Sequence, residues 1–304
     1  MLSASWSIRI RRALLVLMLC TLAGGRLRAQ VVINEVLASN RLTATDEDGD
    51  SSDWVELLNV GSADAALKGY GLSDDPSEPL RWLLPDVTLP PTGRLLVWLS
   101  GKDRLAPPPE AIVAANSTVP FVPSLILPDA EWHYLTGAPE AAGPPAGWSQ
   151  PGFDDALWPT GKAGFGFGDD DDATLLPAGI GAVFLRHRFV MEREAPGPLI
   201  FQARFDDGFA LYLNGSRVLN VNFAPDAEPT FASIATVNTE ARSPRRFDLT
   251  PFAASLHPGE NVVAIALLNR SATNDDLSLI PELGTVSPVL HASFRLDTEG
   301  ESVV

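Results

Sequence analysis

Short apolar runs separated by turn residues recur along the chain after residue 30. The 26 prolines and 24 glycines are spread through the sequence and bound nearly all of these runs, which disfavours long helices. The pattern therefore predicts an all-β chain with two sandwiches or jelly rolls. The clearest runs are Val31–Leu37, Trp54–Leu58, Leu95–Leu99, Leu199–Phe205, Ala210–Leu213 and Val262–Leu268.

Proline-rich segments divide the chain into regions. Residues 105–128 contain six prolines and predict an extended linker, and Gly284–Pro288 predicts a second, shorter connection. The expected organisation is an export signal at 1–29, a first sandwich at 30–104, the linker at 105–128, a second sandwich at 129–284 and a returning segment at 285–304.

The first 29 residues have the pattern of an export signal. Arg9, Arg11 and Arg12 precede an apolar run, and small residues end near Ala29, where cleavage is expected. The apolar run is too short to span a bilayer comfortably, and no later segment is apolar for long enough. We therefore expect a secreted or cell-surface protein with no transmembrane segment after signal removal.

Charge excludes one class of partner. Cleavage after Ala29 removes five arginines and no acidic residue, which changes the formal net charge from −16 to −21. A chain this acidic lacks the cations needed to follow a phosphate backbone, so we expect no nucleic-acid partner. The single cysteine, Cys20, is removed with the signal, so no disulfide is expected.

The acidic stretch DEDGDSSDWVELLNV (46–60) is the candidate metal site. Asp46, Asp48, Asp50 and Asp53 surround a glycine, and carboxylates at such spacing can wrap Ca²⁺, which takes six to eight oxygen ligands. The loop is not an EF-hand, because Leu57 stands where the bidentate glutamate would be. The alternative is a solvated turn in which Asp53 caps backbone groups.

Four motifs in the first region carry a resemblance. Together they resemble the lamin-tail domain of large secreted bacterial surface proteins, which implies an immunoglobulin-like β-sandwich. The motifs are VVINEVLASN (31–40), DEDGDSSDWVELLN (46–59), LKGYGLSDDPSEPLRWLLP (67–85) and PTGRLLVWLSGKDR (91–104).

The second region carries FDDGFALYLNGSRVLNVNF (205–223) and PGENVVAIALLNRSATNDDLSLIPEL (258–283). It resembles the galactose-binding-like jelly rolls found beside lamin-tail modules, often with a spore-coat-type kinase domain downstream. The resemblance implies non-catalytic sugar binding and a structural Ca²⁺ in a loop. From the residues alone, Asn214-Gly215 predicts a hairpin, because both turn residues tolerate positive φ.

The tail, Leu290–Val304, resembles a further lamin-tail segment. We therefore expect the jelly roll to be inserted in the first sandwich, so that the tail pairs beside Leu95–Leu99; the alternative is that the tail opens a third domain. The chain ends in an apolar segment at Val303-Val304, where the family continues with further strands, so a fragment of a longer protein is one expectation.

No catalytic constellation stands out. The four histidines form no zinc-binding motif, and the sequence has no G-x-S-x-G elbow and no Walker A loop. A glycosidase needs only two carboxylates, but nothing in the sequence positions such a pair. We therefore expect no enzyme activity and no catalytic residues.

Two functions are compatible with these observations. The first is a non-catalytic, exported binding or adhesion module that recognises glycan or a cell-surface polymer. The second is a structural spacer or docking region of a larger surface protein with a downstream catalytic domain.

Overall fold

The computed structural model describes residues 30–115, 117–138, 140–141, 143–168, 172–195, 197–297 and 302–304. The signal predicted for residues 1–29 lies outside the described residues. The described chain forms two compact units. Unit 1 comprises the described residues up to Asp46, Ser51–Leu105 and those of Leu290–Val304, and unit 2 comprises Glu47–Asp50 and Ala106–Val289.

Unit 1 is built from short antiparallel strands. Its main sheet orders β1, β2 and β7 side by side, and two small sheets pair β3 with β6 and β4 with β5. The strands are β1 (Val31–Leu37), β2 (Asp53–Asn59), β3 (Ala65–Ala66), β4 (Gly71–Leu72), β5 (Trp82–Leu83), β6 (Thr88–Leu89) and β7 (Arg94–Leu99).

The core of unit 1 lies on one face of β2. Val55 and Leu57 are buried there with Trp82 and Leu99. Trp54, the first residue of the apolar run Trp54–Leu58, is only half-buried and lies on the opposite face. The reason is the strand period of two, which places neighbouring side chains on opposite faces.

Unit 2 contains one short helix, a 3-10 helix and twelve strands among the described residues. The helix α1 spans Pro109–Val113 and the 3-10 helix spans Thr250–Ser255. The strands are β8 (Phe121–Ile126), β9 (Glu131–Thr136), β10 (Thr160–Lys162), β11 (Phe165–Phe167), β12 (Thr174–Leu175), β13 (Ala182–Met191), β14 (Ile200–Phe205), β15 (Gly208–Leu213), β16 (Ser216–Val221), β17 (Arg245–Asp248), β18 (Gly259–Leu268) and β19 (Leu277–Val286).

Two sheets pack face to face in unit 2. One has the order β10-β9-β13-β18-β15-β16, and the other has the order β12-β11-β19-β14-β17, with β8 also paired to β19. Residues of both sheets, among them Leu185, Ile265, Phe201 and Leu279, share one buried core. The prediction of an all-β chain built from β-sandwiches is confirmed.

Both faces of the central strands are covered. The face of β18 opposite the sandwich core packs under Trp148, Phe184 and Tyr212, whose rings meet edge to face. This double burial explains why β15 and β18 are almost continuously apolar instead of alternating.

The chain returns to unit 1 at β20 (Leu290–His291). This strand pairs in parallel with β7, with Leu290 opposite Val97 and His291 opposite Trp98. His291 is fully buried, and its Nδ1 lies 2.8 Å from Oγ of Ser100. The first two residues of the tail therefore lie beside β7.

The segment predicted as the linker 105–128 has structure of its own. Phe121–Ile126 forms β8, an edge strand that pairs with β19, and Pro123 lies in it opposite Gly284. Proline is tolerated there because an edge strand has one side without ladder hydrogen bonds.

Among the residues that the structure describes, no helix is both long and apolar enough to cross a bilayer.

Candidate functional site

The acidic loop brings three of its four predicted ligands together. One carboxylate oxygen each of Asp46, Asp48 and Asp50 lie within 4.8 Å of one another, with Asp46 buried and the other two exposed. Such a group can hold a metal ion. Asp53 lies outside the group, and its Oδ1 accepts a hydrogen bond from the backbone N–H of Asn40 over 2.7 Å.

Asp46 already has a cation beside it. Nζ of Lys102 lies 2.5 Å from its Oδ2, and the Asp46 side chain is fully buried. A metal ion bound by this carboxylate would therefore have to share it with the Lys102 ammonium or displace that ammonium.

Ser100, His291 and Asp46 are near one another, but they do not form a catalytic triad. Oγ of Ser100 lies 2.8 Å from Nδ1 of His291, and Oδ2 of Asp46 lies 3.9 Å from the same nitrogen, while Nε2 faces Arg104 at 3.2 Å. A triad needs the hydroxyl and the carboxylate on opposite ring nitrogens. Because a guanidinium can only donate, Nε2 accepts from Arg104 and Nδ1–H donates to Ser100.

An open cleft of about 360 Å³ lies in unit 2, beside the edge strand β17. Its wall consists of residues 113–115 and Ser117 after α1, Gln202 on β14, and residues 243–246. Arg245 and Arg246 begin β17, where they pair with Ala203 and Gln202 of β14. Among the described residues that line the cleft, none is acidic. We call this the β17 cleft.

Arg246 is held in place by several acceptors. Its Nε donates to Oε1 of Gln202 over 2.9 Å, and its Nη1 donates to the Val119 carbonyl over 2.7 Å and to Oγ of Ser117 over 3.3 Å. Burial lowers the pKa of Arg246, and the negative charge of Glu282 partly opposes this. No hydrogen bond from Nη2 to any described residue is present.

Arg245 is held by aromatic contacts instead. Its guanidinium carbon lies 5.2 Å from the ring centroid of Phe205 and 5.5 Å from that of Phe247. Within the described part of the chain it makes no hydrogen bond and no ion pair. The stacking places this guanidinium on the face of β17 that carries Phe247, opposite to the face that carries the Arg246 side chain.

A second acidic site lies at the turn between β14 and β15. Burial, followed by repulsion from Asp276 and Asp207, raises the pKa of Asp206 to about 8. Asp207 accepts hydrogen bonds from the backbone N–H groups of Thr239 and Arg270 and from Nδ2 of Asn274. Asp207 therefore orders two loops, the one that contains Thr239 and the one between β18 and β19, and Asp206 keeps its proton at neutral pH.

Sequence reasoning missed the β17 cleft. The available signal was SPRR at 243–246, adjacent arginines at the start of a strand in a chain of 38 acidic and 22 basic residues. The pattern does not place residues 113–115 and Ser117 beside these arginines, because they lie in the segment 105–128 that was predicted to be a linker.

Comparisons with known proteins give partial likenesses only. No protein-family model and no curated protein matches the chain. A β-glucuronidase of Bifidobacterium dentium, solved with coumarin-3-O-glucuronide, is 20% identical over 48% of this chain and 20% of its own, with a TM-score of 0.30. A glycosyl hydrolase family 2 member from Bacteroides cellulosilyticus is 14% identical over 50% and 20%, with a TM-score of 0.31.

A calcium-binding mutant of Bacteroides uniformis β-glucuronidase 2 is 14% identical over 51% of this chain and 17% of its own, with a TM-score of 0.28. The chain thus spans about a fifth or less of the length of these proteins. The lamin-tail and galactose-binding-like resemblances stay predictions.

Proposed function

We propose that this protein is a non-catalytic, exported binding module that recognises glycan or a cell-surface polymer through unit 2. The observation that carries the proposal is the β17 cleft, which combines a concave shape with the guanidinium of Arg246, held in place by Gln202 and Val119. Small-molecule sites are concave and have a few placed polar groups, and their volumes are about 300–1,000 Å³.

The environments of the histidines support a role without catalysis. The Nδ1 atoms of His133 and His187 lie 2.8 Å from the carbonyls of Asp155 and Glu131, and that of His257 lies 3.0 Å from the Pro258 carbonyl. His291 is buried and fixed by Ser100 and Arg104. Each ring therefore serves a local structural contact, which leaves it poorly placed as a general base.

We further propose that Asp46, Asp48 and Asp50 take Ca²⁺ as a structural ion. Hard carboxylate oxygens suit Ca²⁺, and backbone carbonyls and water would supply the remaining ligands. Because Lys102 shares the Asp46 carboxylate, we expect weak binding, in the range of about 10⁻⁴–10⁻³ M that is typical of extracellular modules.

A glycan-array screen of the secreted chain, with and without a chelator, tests the binding function. We expect a defined set of glycans to bind, and binding to fall in the variant Arg246→Gln. Uniform failure to bind any glycan would contradict the proposal and favour the spacer function.

Export has its own test. Expression of the full gene in a bacterial host, followed by mass spectrometry of the secreted protein, is expected to give a mature chain that begins at Gln30. Retention of uncleaved protein inside the cell would contradict export.

A further inference from the structure

We propose that Asn214, in the turn Asn214-Gly215 between β15 and β16, is a deamidation site that is closed in the folded protein and opens when this turn is released locally. The modification is one-way, because its product does not fit the closed turn. This inference is independent of the proposed glycan-binding function and of the Ca²⁺ site.

The reaction uses only these two residues and water. The backbone nitrogen of Gly215 loses its proton and forms a bond to Cγ of Asn214, the Cγ–Nδ2 bond breaks, and Nδ2 leaves as ammonia. Water then opens the five-membered imide at either carbonyl, which gives aspartate or isoaspartate at position 214. Glycine favours the ring closure, because it has no side chain to obstruct the attacking nitrogen.

Three hydrogen bonds hold the side-chain amide of Asn214 in the folded protein. Its Nδ2 donates to the Ser255 carbonyl over 2.7 Å and to Oδ1 of Asn261 over 2.8 Å. Its Oδ1 accepts the backbone N–H of Val262 over 2.8 Å. Ring closure requires Cγ to rotate towards the backbone nitrogen of Gly215, so these contacts must break before the reaction can start.

The glycine of the turn is covered as well. The carboxamide of Gln150 occupies the space that a Cβ on Gly215 would need. The backbone carbonyl of Gln150 is itself fixed, because it accepts a hydrogen bond from Nη2 of Arg186 over 3.2 Å. Ring closure moves the Gly215 backbone, so the Gln150 side chain must move away too.

These contacts can be released without unfolding the sheets. Gln150 is exposed and Ser255 is half-buried, whereas β15 and most of β18 are buried. Surface turns open at a lower free energy than buried strands do. We therefore expect the reaction to proceed from a locally open turn while the sandwich stays folded.

The product does not fit the closed turn. An oxygen would replace Nδ2 and face the Ser255 carbonyl and Oδ1 of Asn261, so three acceptors would meet without a donor. Asn261 cannot reverse its amide, because Nδ2 donates to the carbonyls of His257 and Gly259 and Oδ1 accepts the His257 N–H. Isoaspartate also lengthens the backbone by one carbon, which disrupts a two-residue turn.

Mass spectrometry of the secreted chain, incubated at mildly alkaline pH, tests the proposal. Trypsin releases Phe205–Arg217, in which Asn214 is the one asparagine, so the mass gain of deamidation in this peptide reports on that residue alone. We expect deamidation in the folded chain to be at least about 100-fold slower than in the same chain unfolded in urea. Comparable rates in the two states would overturn the proposal.

Asn261→Ala removes one of the contacts and is expected to raise the rate in the folded state about tenfold. The matched control is Leu279→Ala, which makes a cavity in the sandwich core but leaves the contacts of Asn214 in place. The two variants are compared at urea concentrations that give the same unfolded fraction, so a purely global effect would be equal in both. Equal rates would overturn local opening.

Gln150→Ala tests the cover over Gly215 without touching a buried residue. We expect the rate in the folded state to rise a few-fold. A rate equal to that of the parent in both Gln150→Ala and Asn261→Ala would overturn the assignment of these contacts as the barrier.

A last pair of variants tests the one-way character of the modification. Asn214→Asp imitates the product, while Asn214→Gly removes the same three hydrogen bonds, adds no charge and tolerates the positive φ. We expect the midpoint of urea unfolding at neutral pH to be lower for Asn214→Asp than for Asn214→Gly. An equal or higher midpoint for Asn214→Asp would show that the product is accommodated and would overturn this part of the proposal.

Discussion

Asn214 donates a hydrogen bond from its Nδ2 to Oδ1 of Asn261 over 2.8 Å, although the two residues are 47 positions apart. Asn261 is fully buried, and its amide also donates to the carbonyls of His257 and Gly259. Oδ1 of Asn214 in turn accepts the backbone N–H of Val262 over 2.8 Å. The pair joins the β15–β16 hairpin to the turn that precedes β18.

Replacing Asn261 with alanine should therefore destabilise unit 2. We expect the free energy of unfolding to fall by about 1–3 kcal/mol, because buried backbone groups lose their partners. Urea denaturation, monitored by tryptophan fluorescence, measures this free energy of unfolding. Asn238→Ala, at an exposed asparagine, is the control, and an equal loss in both variants would contradict the assignment.

Replacing Asp155 with asparagine should have a larger effect. Its Oδ2 accepts from Nε of Arg186 over 2.7 Å, its Oδ1 accepts from Arg188, and Arg186 is fully buried. Burial would raise the pKa of Asp155, but the hydrogen bonds from the two arginines outweigh it and keep the pKa below its usual value. Without the carboxylate a buried guanidinium is left uncompensated, which costs about 3–5 kcal/mol.

The matched control for Asp155→Asn is its exposed neighbour, Asp154→Asn. Denaturant titration of both variants at pH 7 should show a large loss of stability in the first and little change in the second. A loss below about 1 kcal/mol in Asp155→Asn would show that the ion pair does not support the fold.

Asp206→Asn should change how stability depends on pH. The folded state holds the Asp206 proton up to about pH 8, whereas the unfolded chain releases it near the ordinary value of 3.8. Between these values the folded state binds more protons, so this group makes stability fall as pH rises, by at most about 1.4 kcal/mol per pH unit. The asparagine cannot ionise, so the variant should become progressively more stable than the parent from pH 4 to pH 8.

Thermal unfolding of parent and variant in a chelating buffer, at pH 4.5, 6 and 7.5, tests this difference. Asp226→Asn, at an exposed aspartate, is the control. Parallel pH profiles for parent and Asp206→Asn would contradict the raised pKa.

Lys102→Met should strengthen Ca²⁺ binding by the acidic loop. The substitution removes the ammonium that lies on Asp46, so this cation no longer competes with the ion for the carboxylate. We expect Ca²⁺ affinity, measured by calorimetry, to rise several-fold, since a competing charge within about 4 Å of the ligand is lost. Lys68→Met, which breaks an exposed ion pair with Asp86, should leave Ca²⁺ affinity unchanged.

Local chemistry made part of the fold predictable. Asn214 and Gly215 have φ values of 47° and 83° and form the predicted hairpin turn. This turn was predictable because the turn type depends on these two residues alone. The buried strand Val262–Leu268 was likewise evident from its apolar run. The link between Asn214 and Asn261 was not predictable, since neither the Asn214-Gly215 turn nor the motif that begins at Pro258 indicates the other.

The candidate sites were likewise predictable from the sequence only in part. The grouping of Asp46, Asp48 and Asp50 follows from their spacing within one loop. The contact of Lys102 with Asp46 joins two residues 56 positions apart, and the β17 cleft depends on a segment expected to be extended. Sites formed by non-local packing leave little trace in a single sequence.

The parallel pairing of β20 with β7 determines when the sheet of unit 1 can be completed during synthesis. Ser100 and His291 are 191 positions apart, so the nascent sheet of unit 1 cannot add β20 until the ribosome has made unit 2. Phe121 on β8 and Val286 on β19 lie opposite each other, near the two ends of the segment that separates β7 from β20. Folding of unit 2 therefore brings these ends together and removes most of the entropic cost of closing the loop between β7 and β20. Until β20 has paired, β7 is an edge strand with unpaired backbone N–H and C=O groups. The chain is therefore most vulnerable to aggregation while unit 2 is still being translated.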